Sequence, residues 1–259
     1  MEFKEHYTKQ RMISETGQPK ENETEPTKEG STEDKNEAFD DGVKELGQAA
    51  LSSNRYRHRI HLLNIIGEIE GHECLPSNSK TTKYEHVLPI LADLEDNASL
   101  DGMLILLNTV GGDVEAGLAI AEMISSISKP VVTLVLGGGH SIGVPLSVSG
   151  DYSFIVPTTT MVVHPIRMNG TVIGVKQNYE YIERMQDRII DFTVSHSGIE
   201  EERLRTIMMN NKQLVKDIGS MLVGEEAVRE GLINEVGGIR EAVAKLHEMI
   251  DQKKQQSDE

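Results

Sequence analysis

The chain has 259 residues with 42 acidic and 26 basic side chains, so its formal net charge is −16. Such a surface repels phosphate backbones, which argues against a protein that binds nucleic acids. The single cysteine, Cys74, excludes an intramolecular disulfide, and no apolar run approaches the ~20 residues that span a bilayer. We therefore expect a cytoplasmic protein without an integral membrane segment.

The composition changes near residue 50, which indicates how the chain is divided. Residues 1–50 hold 13 acidic and 7 basic side chains and few apolar ones. Such a segment buries too little apolar surface to offset its conformational entropy. We predict a disordered acidic arm over residues 1–54, with a short helix near Ala38–Leu51. One α/β domain over residues 55–251 follows, and then a frayed polar tail over 252–259.

Within the domain, apolar residues with strand and helix periodicity alternate along the chain. Strands are predicted at Ile60–Ile69, Gly102–Leu107, Pro130–Leu136, Tyr152–Val156, Thr160–His164 and Leu232–Val236. Helices are predicted at Lys83–Leu94, Glu115–Ser126, Ile142–Ser149, Val175–Ser197, Glu200–Met209, Gly224–Glu230 and Ile239–Asp251. This alternation predicts an α/β fold with mainly parallel strands.

Two of the predicted strands end in glycine-rich turns, at Gly111-Gly112 and at Gly137–Gly143. Ligands of α/β proteins bind outside the carboxyl ends of the strands, so both turns are candidate walls of a site. Neither turn has the spacing of a dinucleotide or phosphate loop, and the sequence has no metal-binding spacing. We therefore expect no nucleotide cofactor and no metal.

The second turn contains Gly139-His140-Ser141-Ile142-Gly143, which matches G-x-S-x-G between a strand and a helix. A tight turn of this kind exposes the serine hydroxyl at a helix N-terminus, where the Ile142 N–H faces a developing oxyanion. The same pattern also fits a glycine-rich packing turn with an ordinary capping serine. On these residues alone, both interpretations stay open.

A serine nucleophile needs a base, and His164 is the candidate because it ends a predicted strand and precedes Pro165. A residue before proline is extended, which places the imidazole at a strand end rather than on a helix face. The alternative for any single histidine is a hydrogen-bonded structural role. The side chain of His140, next to Ser141, either points away along the turn or lines the pocket.

Four segments together resemble the proteolytic subunit of the Clp protease. Asn108–Gly117 is similar to N-S-P-G-G-x-x-x-A-G, Gly137–Gly143 to G-x-A-A-S-M-G, Met161–Pro165 to M-I-H-Q-P, and Gly224–Asn234 to S-A-x-E-A…G-L-I-D. Their order and spacing agree over about residues 58–238. Within this family, the chain resembles the translocation-enhancing, ClpP-like peptidases of Gram-positive bacteria.

This resemblance implies the ClpP/crotonase fold, in which repeated β-β-α units form a superhelix, and it implies serine peptidase chemistry. On this basis, Ser141 is the nucleophile and His164 the general base. The N–H groups of Gly111 and Ile142 form the oxyanion hole. The expected substrate-binding residues are Gly112 and His140.

The third member of the triad is where this chain departs from the family pattern. Counting back from the family's F-x-S-A-x-E-A segment gives Gly219 at the position of the catalytic aspartate. We predict that Asp217, two residues upstream, orients His164, with Asp191 in the long helix as the outside alternative. Without an acid the histidine tautomer is not fixed, and the rate falls by roughly 10⁴.

The resemblance further implies a homo-oligomeric ring that hydrolyses peptides or unfolded proteins. The acidic arm replaces the family's short axial segment, which leaves docking of a Clp-type ATPase open. The long helix Val175–Ser197 either joins two rings, as the family's handle does, or packs in the core.

Three other functions stay open. The missing aspartate and the acidic arm favour a non-catalytic assembly or translocation factor. Acyl-CoA chemistry of the crotonase type uses the same fold. A Ser–Lys signal-peptide peptidase would need Lys176 or Lys212 as its base.

Overall fold

A computed structural model of the chain describes residues 49–52, 58–167, 174–211 and 218–257. The described strands are β1 Ala49–Ser52, β2 Arg59–Glu70, β3 Thr81–Lys83, β4 Gly102–Gly112, β5 Val131–Gly139, β6 Tyr152–Ile155, β7 Thr160–Val163, β8 Ser220–Val223 and β9 Glu235–Val236. The described helices are α1 Tyr84–Asp96, α2 Val114–Ser125, α3 Gly143–Val148, α4 Val175–Ser195, α5 Glu201–Met208, α6 Glu225–Arg229 and α7 Ile239–Ser257. The predicted α/β class is confirmed.

The central sheet has the strand order β1-β2-β4-β5-β6-β9. Its neighbours pair in parallel, except that β1 is antiparallel to β2. Strand β7 pairs with the end of β5 through Thr160 and Gly138, and it forms an antiparallel pair with β8. Parallel strands require helical crossovers, so the helices cover the sheet on both faces.

The sheet separates two apolar cores, because successive side chains of a strand point to opposite faces. Met103, Ile105 and Leu107 of β4 belong to the larger core, beneath α1 to α6. Leu104 belongs to a smaller core between the sheet and α7. The buried members of this smaller core are Ile60, Leu104, Val132, Leu134, Phe154, Ala242, Leu246 and Ile250.

The structure corrects two predicted ends of the domain. Ala49–Ser52 is a strand paired with β2, where we expected the end of a short helix in a disordered arm. The remainder of that arm, residues 1–48 and 53–54, lies outside the described residues. Helix α7 continues to Ser257, so the expected frayed tail is helical up to that residue. Tertiary contacts account for the longer helix, since the Lys254 ammonium donates to Asp101 at 2.7 Å.

A buried histidine on α7 makes stability depend on pH. His247 is 2% exposed, and its ring stacks on His58 at a centroid distance of 5.4 Å. Burial is the main cause that lowers the pKa of His247 below 6.5, and the charge of His58 lowers this pKa further. The negative charges of Asp251 and Asp101 act in the opposite direction. The unfolded chain therefore binds this proton more readily than the folded one. Stability is complete above the unfolded pKa and decreases as the pH falls below it.

We expect the midpoint of thermal unfolding to decrease between about pH 7.5 and about pH 5.5. His247→Phe keeps a ring in this position but removes the titrating group, so its midpoint should decrease less over the same interval. Parallel pH profiles for the two proteins would contradict the assignment to His247.

Candidate active site

The two glycine-rich turns lie side by side at the carboxyl ends of β4 and β5. Both strands extend further than predicted, to Gly112 and Gly139 respectively. After an irregularity in the pairing, Thr109 of β4 lies opposite Gly139 of β5. The segments that carry the predicted nucleophile and the predicted oxyanion donors are therefore neighbours in the sheet.

Ser141 has a left-handed backbone conformation with φ 58°, which no other described non-glycine residue adopts. Its N–H donates to the Val162 carbonyl at 2.8 Å, and the His140 N–H donates to the Thr109 carbonyl at 3.1 Å. The turn is thereby held between β4 and β7, and α3 begins two residues later. A strained serine on a strand-to-helix turn is the geometry of a nucleophile elbow.

Glycines allow neighbouring backbone segments to approach this turn closely. A Cβ atom on Gly111, whose φ is 95°, would lie 2.6 Å from the Ser141 Cβ. A Cβ atom on Gly117 of α2 would lie 2.3 Å from Ile142 Cγ1. Neither distance leaves room for a side chain, so both glycines are required by packing around Ser141.

Ser141 and His164 line the same cleft, which has a volume of about 360 Å³. Strand β7 ends at Val163, so His164 follows directly after it. Because the Ser141 N–H is bonded to β7, one strand positions both residues. Most of the other side chains that line the cleft are apolar, and they include Val114, Ile142, Val144, Ile189, Leu204 and Met208.

His164 has a defined tautomer. Its Nδ1 atom lies 2.7 Å from the Pro165 carbonyl oxygen. A carbonyl oxygen only accepts, so Nδ1 carries the hydrogen. In the neutral ring this leaves Nε2 as the basic nitrogen, which is the protonation state that a general base needs.

The structure does not bring His140 into the cleft. Its Nε2 atom lies 2.9 Å from the Thr160 hydroxyl, and it is not among the described residues that line the cleft. Burial is the main cause that lowers the pKa of His140, and the charge of His164 lowers it further, although a hydrogen bond to the Thr160 backbone opposes the shift. Gly112, the other residue predicted to bind substrate, does line the cleft.

The two predicted oxyanion donors differ in their surroundings. The N–H of Ile142 faces no acceptor among the residues described, and Ile142 lines the cleft. The Gly111 N–H donates to the Thr109 hydroxyl at 3.0 Å, and this hydroxyl donates to the Gly67 carbonyl at 2.6 Å. The Gly111 N–H would have to break its hydrogen bond with the Thr109 hydroxyl to bind an oxyanion. The role of Gly111 in the oxyanion hole therefore stays a prediction.

Sequence reasoning did not single out Thr109, although its hydroxyl fixes the Gly111 amide and it is 1% exposed. The sequence did contain a signal for this residue, because the corresponding position of the family's N-S-P-G-G segment is also a hydroxyl residue. Buried hydroxyls are normally hydrogen-bonded.

The predicted acid, Asp217, lies outside the described residues. Gly219, the position obtained by counting along the family pattern, packs directly against His164. Its φ is 137°, and an added Cβ atom would lie 2.6 Å from the Val163 carbonyl oxygen and 2.8 Å from the His164 Cβ. Asp191 is exposed on α4 and is not among the described residues that line the cleft.

The described residues contain no group of three histidine, cysteine, aspartate or glutamate side chains placed to hold a metal ion. None of the helices in the described ranges is long and apolar enough to cross a membrane.

Residues 61–240, which include Ser141 and His164, match the sequence model of the Clp protease family. The chain is 51% identical over 223 residues to the translocation-enhancing protein TepA of Halalkalibacterium halodurans, with 86% of this chain and 87% of that protein covered. It is 27% identical over 154 residues to the ATP-dependent Clp protease proteolytic subunit of Streptococcus pyogenes serotype M5. That match covers 57% of this chain and 73% of the subunit.

Proposed function

Because this chain belongs to the Clp protease family and has its ClpP/crotonase fold, we propose that it is a serine peptidase that cleaves peptides or unfolded proteins. The observation that carries the proposal is the left-handed Ser141 on a strand-to-helix turn, in one cleft with His164. His164 donates from Nδ1, which leaves Nε2 basic. This is the protonation state from which an imidazole accepts a serine proton.

In the proposed reaction, the Ser141 hydroxyl oxygen attacks the scissile carbonyl carbon while His164 Nε2 takes the hydroxyl proton. The Ile142 N–H stabilises the oxyanion, and the Gly111 N–H joins it if it leaves Thr109. His164 then returns its proton to the leaving amine, and an acyl-enzyme on Ser141 remains. A water molecule, deprotonated by the same imidazole, hydrolyses this ester and restores the enzyme.

The lining of the cleft supports a preference for apolar substrate side chains. Ile142 and Val144 contribute from the nucleophile turn and α3, Ile189 from α4, and Leu204 and Met208 from α5. Burying an apolar side chain there stabilises the complex by about 25 cal/mol per Å² of area removed from water. No metal or cofactor takes part in the proposed reaction.

The homo-oligomeric ring and the cytoplasmic location expected from the sequence stay part of the proposal. The first half of α4 supports a contact with a second copy, because Val175 is 79% and Tyr179 65% exposed. Whether an ATPase unfoldase docks on the ring is left open.

The second candidate is a non-catalytic factor in protein translocation. Two observations favour it: the similarity to a protein named as translocation-enhancing, and a glycine at the family's acid position against His164. In this case Ser141 would be a structural residue of the turn.

Labelling with a fluorophosphonate probe, read by intact mass, distinguishes the two candidates. We expect one adduct on the wild-type protein and none on Ser141→Ala, because only an activated serine attacks the phosphorus atom. Ser125→Ala, which removes a half-buried serine hydroxyl at the end of α2, is the matched control and should label like the wild type. A folded, assembled wild-type protein without an adduct would favour the translocation factor.

A further inference from the structure

In a serine triad, an acid accepts the Nδ1 hydrogen of the histidine and so fixes the tautomer and orientation of the ring. We propose that in this chain the backbone carbonyl of Pro165 performs this positioning for His164. This inference rests on the peptidase function proposed above, and it concerns how the base is oriented.

The first support is the hydrogen bond itself. Nδ1 of His164 carries a single hydrogen and donates it to the Pro165 carbonyl oxygen at 2.7 Å. This distance is at the short end of the range for an N–H···O bond. With the hydrogen held there, the neutral ring has one tautomer, and its lone pair is on Nε2.

The second support is the proline. Its ring restricts its own φ to about −65°, and its Cδ keeps the preceding residue extended. The backbone of His164 and the φ of Pro165, which both lie between the imidazole and the carbonyl, are therefore restricted. The strand before them is fixed as well, since Val163 is 3% exposed and pairs with Ser220 of β8. These restrictions limit the positions that the carbonyl can take relative to Nδ1.

The third support is the residue at the family's acid position. Gly219 lies against the backbone of His164, and its Cβ position is 2.6 Å from the Val163 carbonyl oxygen. Its φ of 137° also disfavours any residue with a side chain. Its N–H donates to the Asn210 carbonyl at 2.7 Å, which holds this approach in place. A carboxylate cannot be attached at this position without displacing β7.

A carbonyl differs from a carboxylate in charge. It fixes the tautomer and direction of the ring, but it carries no full negative charge to stabilise the imidazolium that forms during the reaction. The proposal therefore has two consequences. The enzyme should depend strongly on Pro165, and it should depend weakly on Asp217.

The kinetic test measures the rate of fluorophosphonate labelling of Ser141 against pH. We expect Pro165→Ala to slow labelling by about 10²-fold, the effect of a misplaced catalytic group. Pro89→Ala, in helix α1 outside the cleft, is the matched proline control and should retain the wild-type rate. Asp217→Asn should slow labelling by less than about 10-fold, and not by the roughly 10⁴ expected for loss of a triad acid. It should leave the shape of the pH profile unchanged.

The spectroscopic test is solid-state nitrogen-15 NMR on sedimented protein labelled at histidine, with the His164 signals identified by their loss in His164→Gln. We expect a protonated Nδ1 and an unprotonated Nε2 in the wild type and in Asp217→Asn. Pro165→Ala should show a mixture of tautomers. If this variant does not fold, the spectra of the other two proteins still decide the question.

Two results would overturn the proposal: a changed tautomer in Asp217→Asn, or loss of labelling by about 10⁴ in that folded variant. Either would mean that the carboxylate orients His164. A wild-type protein that the probe does not label would refute the proposed peptidase function. The NMR spectrum of His164 would still test the positioning by itself.

Discussion

Gly111→Ala should slow fluorophosphonate labelling of Ser141 by at least about 100-fold, because the new methyl group displaces the nucleophile turn. The methyl carbon would lie 2.6 Å from the Ser141 Cβ and 2.9 Å from the His140 carbonyl oxygen. The φ of 95° adds strain, since residues with a Cβ rarely adopt it. The turn is held by backbone hydrogen bonds on both sides, so it can accommodate the methyl group only if these bonds are disturbed.

The matched control is Gly238→Ala, before helix α7. An added Cβ atom there would meet only the Glu241 carboxylate oxygen at 3.5 Å, which is an ordinary contact. This variant should label at the wild-type rate. If Gly111→Ala were folded and labelled as fast as the control, the approach of β4 to the Ser141 turn would not be required for activity.

Phe154→Ala should lower the free energy of unfolding by about 3–5 kcal/mol, a large part of the 5–15 kcal/mol typical of a domain. Phe154 is 2% exposed and lies in the smaller core between the sheet and α7. Its packing is tight, because a Cβ atom on Gly237 would lie 2.7 Å from its ring. Truncation would leave a cavity that the surrounding strands and α7 cannot close completely.

Chemical denaturation of Phe154→Ala and of Phe154→Leu, which removes less side-chain volume, measures this effect. The leucine variant should lose less stability than the alanine variant, because it leaves a smaller cavity. Because Phe154 is on the face of the sheet that carries α7, labelling of Ser141 in the folded fraction should stay near the wild-type rate. Equal stability of the two variants would show that the site relaxes around the cavity.

The long elements of the fold could be predicted because their pattern is local. The apolar run of β2 and the helical spacing of α1 specify their type without knowledge of their neighbours. Strands β3 and β8, which have three and four residues, were not predicted. Ala49–Ser52 and the end of α7 were predicted incorrectly, because both depend on partners that are distant in the sequence.

In the candidate site, too, local features could be predicted from the sequence and tertiary contacts could not. A strand, a tight turn with Ser141 and a following helix are consecutive in the chain, so the nucleophile candidate was visible in the sequence. The direction of the His140 ring toward Thr160 is a tertiary contact between the turn after β5 and strand β7, and it could not be predicted from the sequence. The same holds for the Thr109 hydroxyl, whose role depends on bonds to Gly67 and Gly111.

By itself, the sequence determined the α/β class, the order of the main elements, and Ser141 and His164 as the pair to test. These follow from periodicity and from short motifs, whose physics is local. Only the tertiary structure decided that Gly111 packs directly against Ser141 and that Gly219 packs directly against His164. It also decided that the Pro165 carbonyl accepts the hydrogen of His164 Nδ1. Each of these depends on distances of a few ångströms between atoms, which arise when separate strands pack together.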